Sequence, residues 1–62
     1  MVRARSSTGP VVELIEVSDE WHVRTISRQG LETVYTFPRE SFAVSFARER
    51  CRQLGLEQFD RI

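Results

Sequence analysis

The sequence predicts an α+β domain: a three-stranded antiparallel meander packed on one face by a single C-terminal α-helix, with a short fourth strand or a docked tail after it. Three observations predict this. VVELIEV, WHVRTIS and LETVYTF are rich in β-branched and aromatic residues, and the turn-formers SDE and RQG separate them. Pro38 interrupts the pattern after the third stretch, having no N–H for a strand ladder and a φ suited to a helix's first turn. Beyond it, apolar residues recur at helical spacing.

The first ten residues, MVRARSSTGP, carry two arginines, a Ser-Ser-Thr cluster, a glycine and a proline, which predicts a disordered basic tail over 1–10 and a single β-β-β-α domain over 11–62. The hairpin loops then set the register. If Arg28, Gln29 and Gly30 form a three-residue loop, with the glycine in the left-handed conformation, Thr25 faces Thr33, Val23 faces Tyr35 and Trp21 faces Phe37. Giving Ser18, Asp19 and Glu20 the same length sets Val17 opposite Trp21 and Ile15 opposite Val23. The predicted core face is therefore Val11, Ile15, Val17, Trp21, Val23, Leu31, Tyr35 and Phe37, with Thr25 and Thr33 at one side. Glu13 falls on that face as well, and must reach water at an edge if the register is right.

In the helix, Phe42, Ala43, Phe46, Ala47, Cys51 and Leu54 make one stripe to lie on the sheet, while Ser45, Arg48, Glu49 and Arg52 point away. Gly55 stands where a left-handed cap is needed, and Leu56 is placed to fold back on Cys51. Arg50 falls inside the apolar arc, so its stem is expected over apolar side chains with the guanidinium in water. The tail LEQFDRI, with Leu56, Phe59 and Ile62 at three-residue intervals, is too apolar to be left loose.

At 62 residues the chain holds one domain, and one of marginal size: about 60% of the unfolded surface is hidden at this length, so a disulfide, a metal or a second subunit often adds support. Cys51 and His22 are the only cysteine and the only histidine, so no internal disulfide or structural zinc site can be assembled, and no metal or cofactor is expected. A homodimer or a small protein partner is the expected assembly. Nine arginines balance nine acidic residues, which gives no overall field toward nucleic acid or a membrane surface. Without an apolar run near the roughly 20 residues of a membrane span, or an apolar signal segment at the start, the expectation is a cytoplasmic protein.

Catalytic chemistry has little to draw on. Cys51 and His22 are the one nucleophile and base pair of the thiol type, and the register separates them by the thickness of the sheet. The chain contains none of the glycine-rich phosphate loops, HExxH or GxSxG. More informative is the second face of the sheet, predicted as Val12, Leu14, Glu16, His22, Arg24, Ile26, Glu32, Val34 and Thr36, where aliphatic residues sit among charges as they do in protein interfaces. The candidate contact residues are Val12, Leu14, Arg24, Ile26 and Val34, with Glu16 and His22 as a cross-strand pair. The resulting expectation is a noncatalytic binding or regulatory module acting through that face. The alternative is nucleic-acid binding by the sheet through His22, Arg24 and Arg28, helped by Arg3 and Arg5.

Trp21, Val23, Phe37, Ala43, Ala47 and Arg48 carry a resemblance to a group of small bacterial domains with a W-x-V strand, an aromatic strand ending in Phe and a helix reading A-x-x-x-A-R. That resemblance implies the fold and no activity. The β-β-β-α order also resembles the sheet-based DNA-binding domains of phage integrases and of a plant transcription-factor family. Those open the helix with threonine on a strongly basic sheet, whereas this chain has Pro38 and Arg39 there and five acids against two arginines from Val11 to Phe37.

Overall fold

The computed structural model describes residues 9–62, so most of the basic tail expected over 1–10, Arg3 and Arg5 included, lies outside the described residues. Strands β1 (Val11–Val17), β2 (Glu20–Ile26) and β3 (Glu32–Phe37) lead into helix α1 (Glu40–Leu54) and a two-residue strand β4 (Asp60–Arg61). The sheet order is β3-β2-β1-β4, with the first three strands antiparallel and β4 parallel to β1. One helix on one face of a mostly antiparallel sheet is the α+β arrangement the sequence predicts.

The second hairpin has the expected form. Gly30 N–H donates to the Ser27 carbonyl and Ser27 N–H to the Leu31 carbonyl, both at 2.9 Å, and Gly30 has φ +90°. This is a turn closed by a glycine bulge, and it sets Thr25 against Thr33, Val23 against Tyr35 and Trp21 against Phe37 as predicted.

The first hairpin corrects the sequence reading. Its loop is two residues, Ser18 and Asp19, and Val17 pairs with Glu20, Glu16 with Trp21 and Leu14 with Val23. Ser18 has φ +51° and Asp19 a negative φ, the pattern of a II′ turn, whose twist matches its flanking strands. A loop shorter by one residue exchanges the two faces of β1. Val12 and Leu14, expected on the open face, are buried beneath the helix, and Val11, Ile15 and Val17, expected in the core, face away from it together with Glu13, expected at an edge of the core face.

The core is Val12, Leu14 and Val23 from the sheet and Ala43, Ala47 and Cys51 from the helix, with Trp21, Phe37, Phe46, Leu54, Leu56 and Phe59 packed around it. Small residues at three successive turns let α1 lie close over β1 and β2, while its flank reaches β3 through Phe46, whose ring is 4.5 Å from Tyr35 and 5.2 Å from Phe37. Beyond those of β1, two predicted core residues escape burial. Phe42, in the first turn, is 54% exposed, and Leu31, on the outer strand beside the hairpin loop, is 70% exposed. The helix touches β3 less than β1 and β2, which leaves Leu31 uncovered.

Helix α1 starts after Pro38, with Arg39 extended at its N-cap and no capping side chain among the described residues. It ends as expected in a Schellman motif: Gly55, φ +76°, sends its N–H to the Arg52 carbonyl and Leu56 sends its own to Cys51 at 2.8 Å. The hairpin adds a cap the sequence did not reveal, because Arg28 Nη2 donates to the Leu54 carbonyl at 2.7 Å and places a cation at the negative end of the helix. The tail then turns back along β1, where Ile62 N–H donates to the Leu14 carbonyl at 2.9 Å and Arg61 pairs with Glu40 at 2.9 Å.

Candidate functional site: the open sheet face

With β1 turned over, the face away from the helix is built from three cross-strand rows: Glu13, Arg24 and Val34; Ile15, His22 and Thr36; and Val11, Ile26 and Glu32. Arg24 is its centre. Its Nη1 donates to Glu13 Oε1 and its Nε to Glu32 Oε2, both at 2.7 Å. These contacts raise the guanidinium pKa, the hydrogen bond to Glu32 contributing most and that to Glu13 next. Around this bridge stand Val11, Ile15 and Ile26, each partly exposed, and Val34, 50% exposed. Of the predicted contact residues, Arg24, Ile26 and Val34 come together here, Val12 and Leu14 belong to the core, and Val11, Ile15 and Glu13 take their places. Glu13 was the legible signal, since a carboxylate gains more opposite Arg24 than on an apolar face.

The expected Glu16 and His22 pair does not form, because the corrected register puts the two on opposite faces. His22 Nε2 instead lies 2.9 Å from Glu20 Oε1 on its own strand. All three residues assigned to nucleic-acid contact are therefore engaged within the fold: His22 with Glu20, Arg24 with two carboxylates and Arg28 with the helix end. A guanidinium already bridging two carboxylates has little positive field left for a phosphate.

Arg50, half-buried, lies over apolar side chains as expected, and its guanidinium is also tied down there: its carbon stands 5.0 Å from the Phe46 ring centre and 5.4 Å from that of Tyr35, and it donates to the Tyr35 hydroxyl and Gln53 Oε1, each at 3.0 Å. Its Nε is buried and has no hydrogen-bond partner among the described residues. Cation–π contact and two hydrogen bonds hold the aromatic side of the helix in place.

On the far side of α1, a cleft of about 800 Å³ separates its outer turns from the tail, with Cys51 and Phe59 among its lining and Arg48, Arg52, Glu57 and Asp60 at its rim. Signs alternate around it. Burial, and then the charge of Asp60, push the Cys51 thiol pKa up, so Cys51 is held protonated and behaves as a small hydrophobe. Iodoacetamide at mildly alkaline pH should label Cys51 in the folded protein at least about 100-fold more slowly than in the denatured chain, since the thiolate is the reacting form and is reached only by opening. Equal rates would mean that the thiol is open to solvent and the helix loosely seated. Cys51 and His22 lie on opposite faces of the sheet. Among the described residues no group of three or more His, Cys, Asp or Glu is placed to hold a metal ion, and no helix is long and apolar enough to cross a membrane. No protein-family model matches this sequence, and neither the curated proteins nor the solved structures provide a match.

Proposed function

We propose that this domain is a noncatalytic binding or regulatory module that works by contact with another protein chain, laid against the open sheet face. One observation carries the reading. The charged groups at the centre of the face are paired internally, Arg24 between Glu13 and Glu32, which leaves one net negative charge, and aliphatic side chains of Val11, Ile15, Ile26 and Val34 surround them. Covering such a surface removes apolar area from water while each charged group of the bridge keeps its hydrogen-bonded partner, and its net negative charge suits a moderately polar protein interface and not a phosphate backbone.

The test is photo-crosslinking in cells from a benzoylphenylalanine placed at Ile15 or Ile26, with Arg52, on the solvated side of the helix, as the control position. Probes on the face should give one discrete adduct, whose mass identifies a second copy or another chain, and Arg52 should give none. The same diffuse products from all three positions would sink the reading. Tight binding of mixed-sequence DNA at low salt, lost on Arg24→Glu, would replace it with the nucleic-acid alternative.

A further inference from the structure

The two edges of the sheet differ. On one side β4 pairs with β1 at Glu13 and Leu14, and Ile62 adds a further backbone hydrogen bond. On the other, β3 is the terminal strand, and among the described residues nothing pairs with its outer edge. Ser27 and Leu31 form a hydrogen-bonded pair, so by alternation Thr33, Tyr35 and Phe37 direct their backbone groups at β2. Glu32, Val34 and Thr36 direct theirs outward. Exposed edges are normally blunted by charged side chains, proline, a bulge or extreme shortness; ETVYTF is six residues long without proline, and its one charge, Glu32, is paired with Arg24.

We infer that this edge pairs with β3 of a second copy, antiparallel about a two-fold axis at Val34, to give one continuous sheet. The sequence of the edge is self-complementary in this register alone. Val34 meets the second copy's Val34, and Glu32 meets Thr36 at both ends, so every outward N–H and C=O of the three residues finds a partner and each carboxylate lies beside a hydroxyl. Centring the axis on Glu32 would instead set carboxylate against carboxylate. On the helix side, Tyr35 lies opposite Thr33. Phe42, four residues before Phe46 and so on the same flank of α1, is 54% exposed, and the incoming strand would add apolar cover on that flank. The helices do not obstruct the pairing, because α1 rests mainly on β1 and β2. A two-fold axis through the edge is isologous and closes the assembly at two chains. The pairing uses the outward backbone groups of Glu32, Val34 and Thr36, whose side chains belong to the open face, so it needs no partner laid on that face and would join the two open faces into one surface around the Val34 pair.

The experiment is sedimentation equilibrium of the full chain, concentrated to about 1 mM, on the wild type, Thr36→Pro and Ile15→Glu. A monomer–dimer equilibrium is expected, weakened about 30-fold by Thr36→Pro, which deletes one edge donor from each chain. Proline there leaves the monomer folded, since the N–H it removes points away from β2. Ile15→Glu, on the open face, should leave the dimer unchanged. Independently of any variant, a mixture of isotope-labelled and unlabelled wild type should show an intermolecular contact between the α-protons of Thr33 and Tyr35, a closely spaced pair in this register. A chain that stays monomeric, a dimer indifferent to Thr36→Pro, or one broken by Ile15→Glu instead would each overturn the edge assignment. The last of these would favour association through the open face, and a dimer lost with Thr36→Pro alone would leave that reading to its own crosslinking test.

Discussion

Leu14→Ala is expected to destabilise the domain by about 2–5 kcal/mol, whereas Ile15→Ala, one residue along the same strand, should cost about 1 kcal/mol or less. Leu14 is 1% exposed and among the largest fully buried side chains, packed in one cluster with Val12, Val23, Ala43, Ala47 and Cys51. Removing its outer carbons loses their transfer energy and leaves a cavity that two short strands and one helix cannot fully close. A domain of this length has a total stability of roughly 3–9 kcal/mol, so the variant should melt far below the wild type or fail to fold. Ile15 lies across from His22 on the open face, where truncation leaves no enclosed space. Urea denaturation of both variants decides the register of β1. If Ile15→Ala proved the costlier, β1 would face the other way, and the contact surface built on Val11, Glu13 and Ile15 would fall with it.

Ala47→Leu is expected to be nearly as severe, at about 1–3 kcal/mol or more, although it adds apolar volume. Ala43 and Ala47 are fully buried, and their small side chains are what permit the helix to approach the sheet closely. A leucine at position 47 must displace Leu14 or Val23 or lift the helix. Lifting it would also strain the link from Arg28 to the Leu54 carbonyl, which ties the hairpin to the helix end. Ser45→Leu makes the same kind of side chain on the exposed side of the helix and should stay within about 0.5 kcal/mol of wild type. Comparable losses in the two thermal melts would show that the cost at position 47 comes from the residue type and not from the packing.

The open face was read from the right strands with the wrong residues of β1. VVELIEV alternates acceptably in either phase, so a three-residue loop assumed by analogy with the second hairpin was enough to put Val11, Ile15 and Val17 in the core. The pairing of Glu13 with Arg24 was the better guide, because an uncompensated carboxylate costs more in a core than an isoleucine costs at a surface. Arg24, Ile26 and Val34 were legible because β2 and β3 are joined by a loop whose glycine announces its geometry.

By itself, the sequence determined the elements and their order, the β2–β3 register, the stop at Pro38 and the left-handed helix end at Gly55. Each of these rests on local chemistry: side-chain alternation, a missing N–H, a missing Cβ. The tertiary structure alone decided which face of β1 is buried, that the tail becomes a parallel strand, that Arg28 caps the helix and that Arg50 stacks on Tyr35 and Phe46. The reason is that Ser18 and Asp19 form their tight turn without glycine, so the loop's length has no strong local mark. One residue of loop inverts a whole strand, and only the competition for space under the helix chooses between the two outcomes.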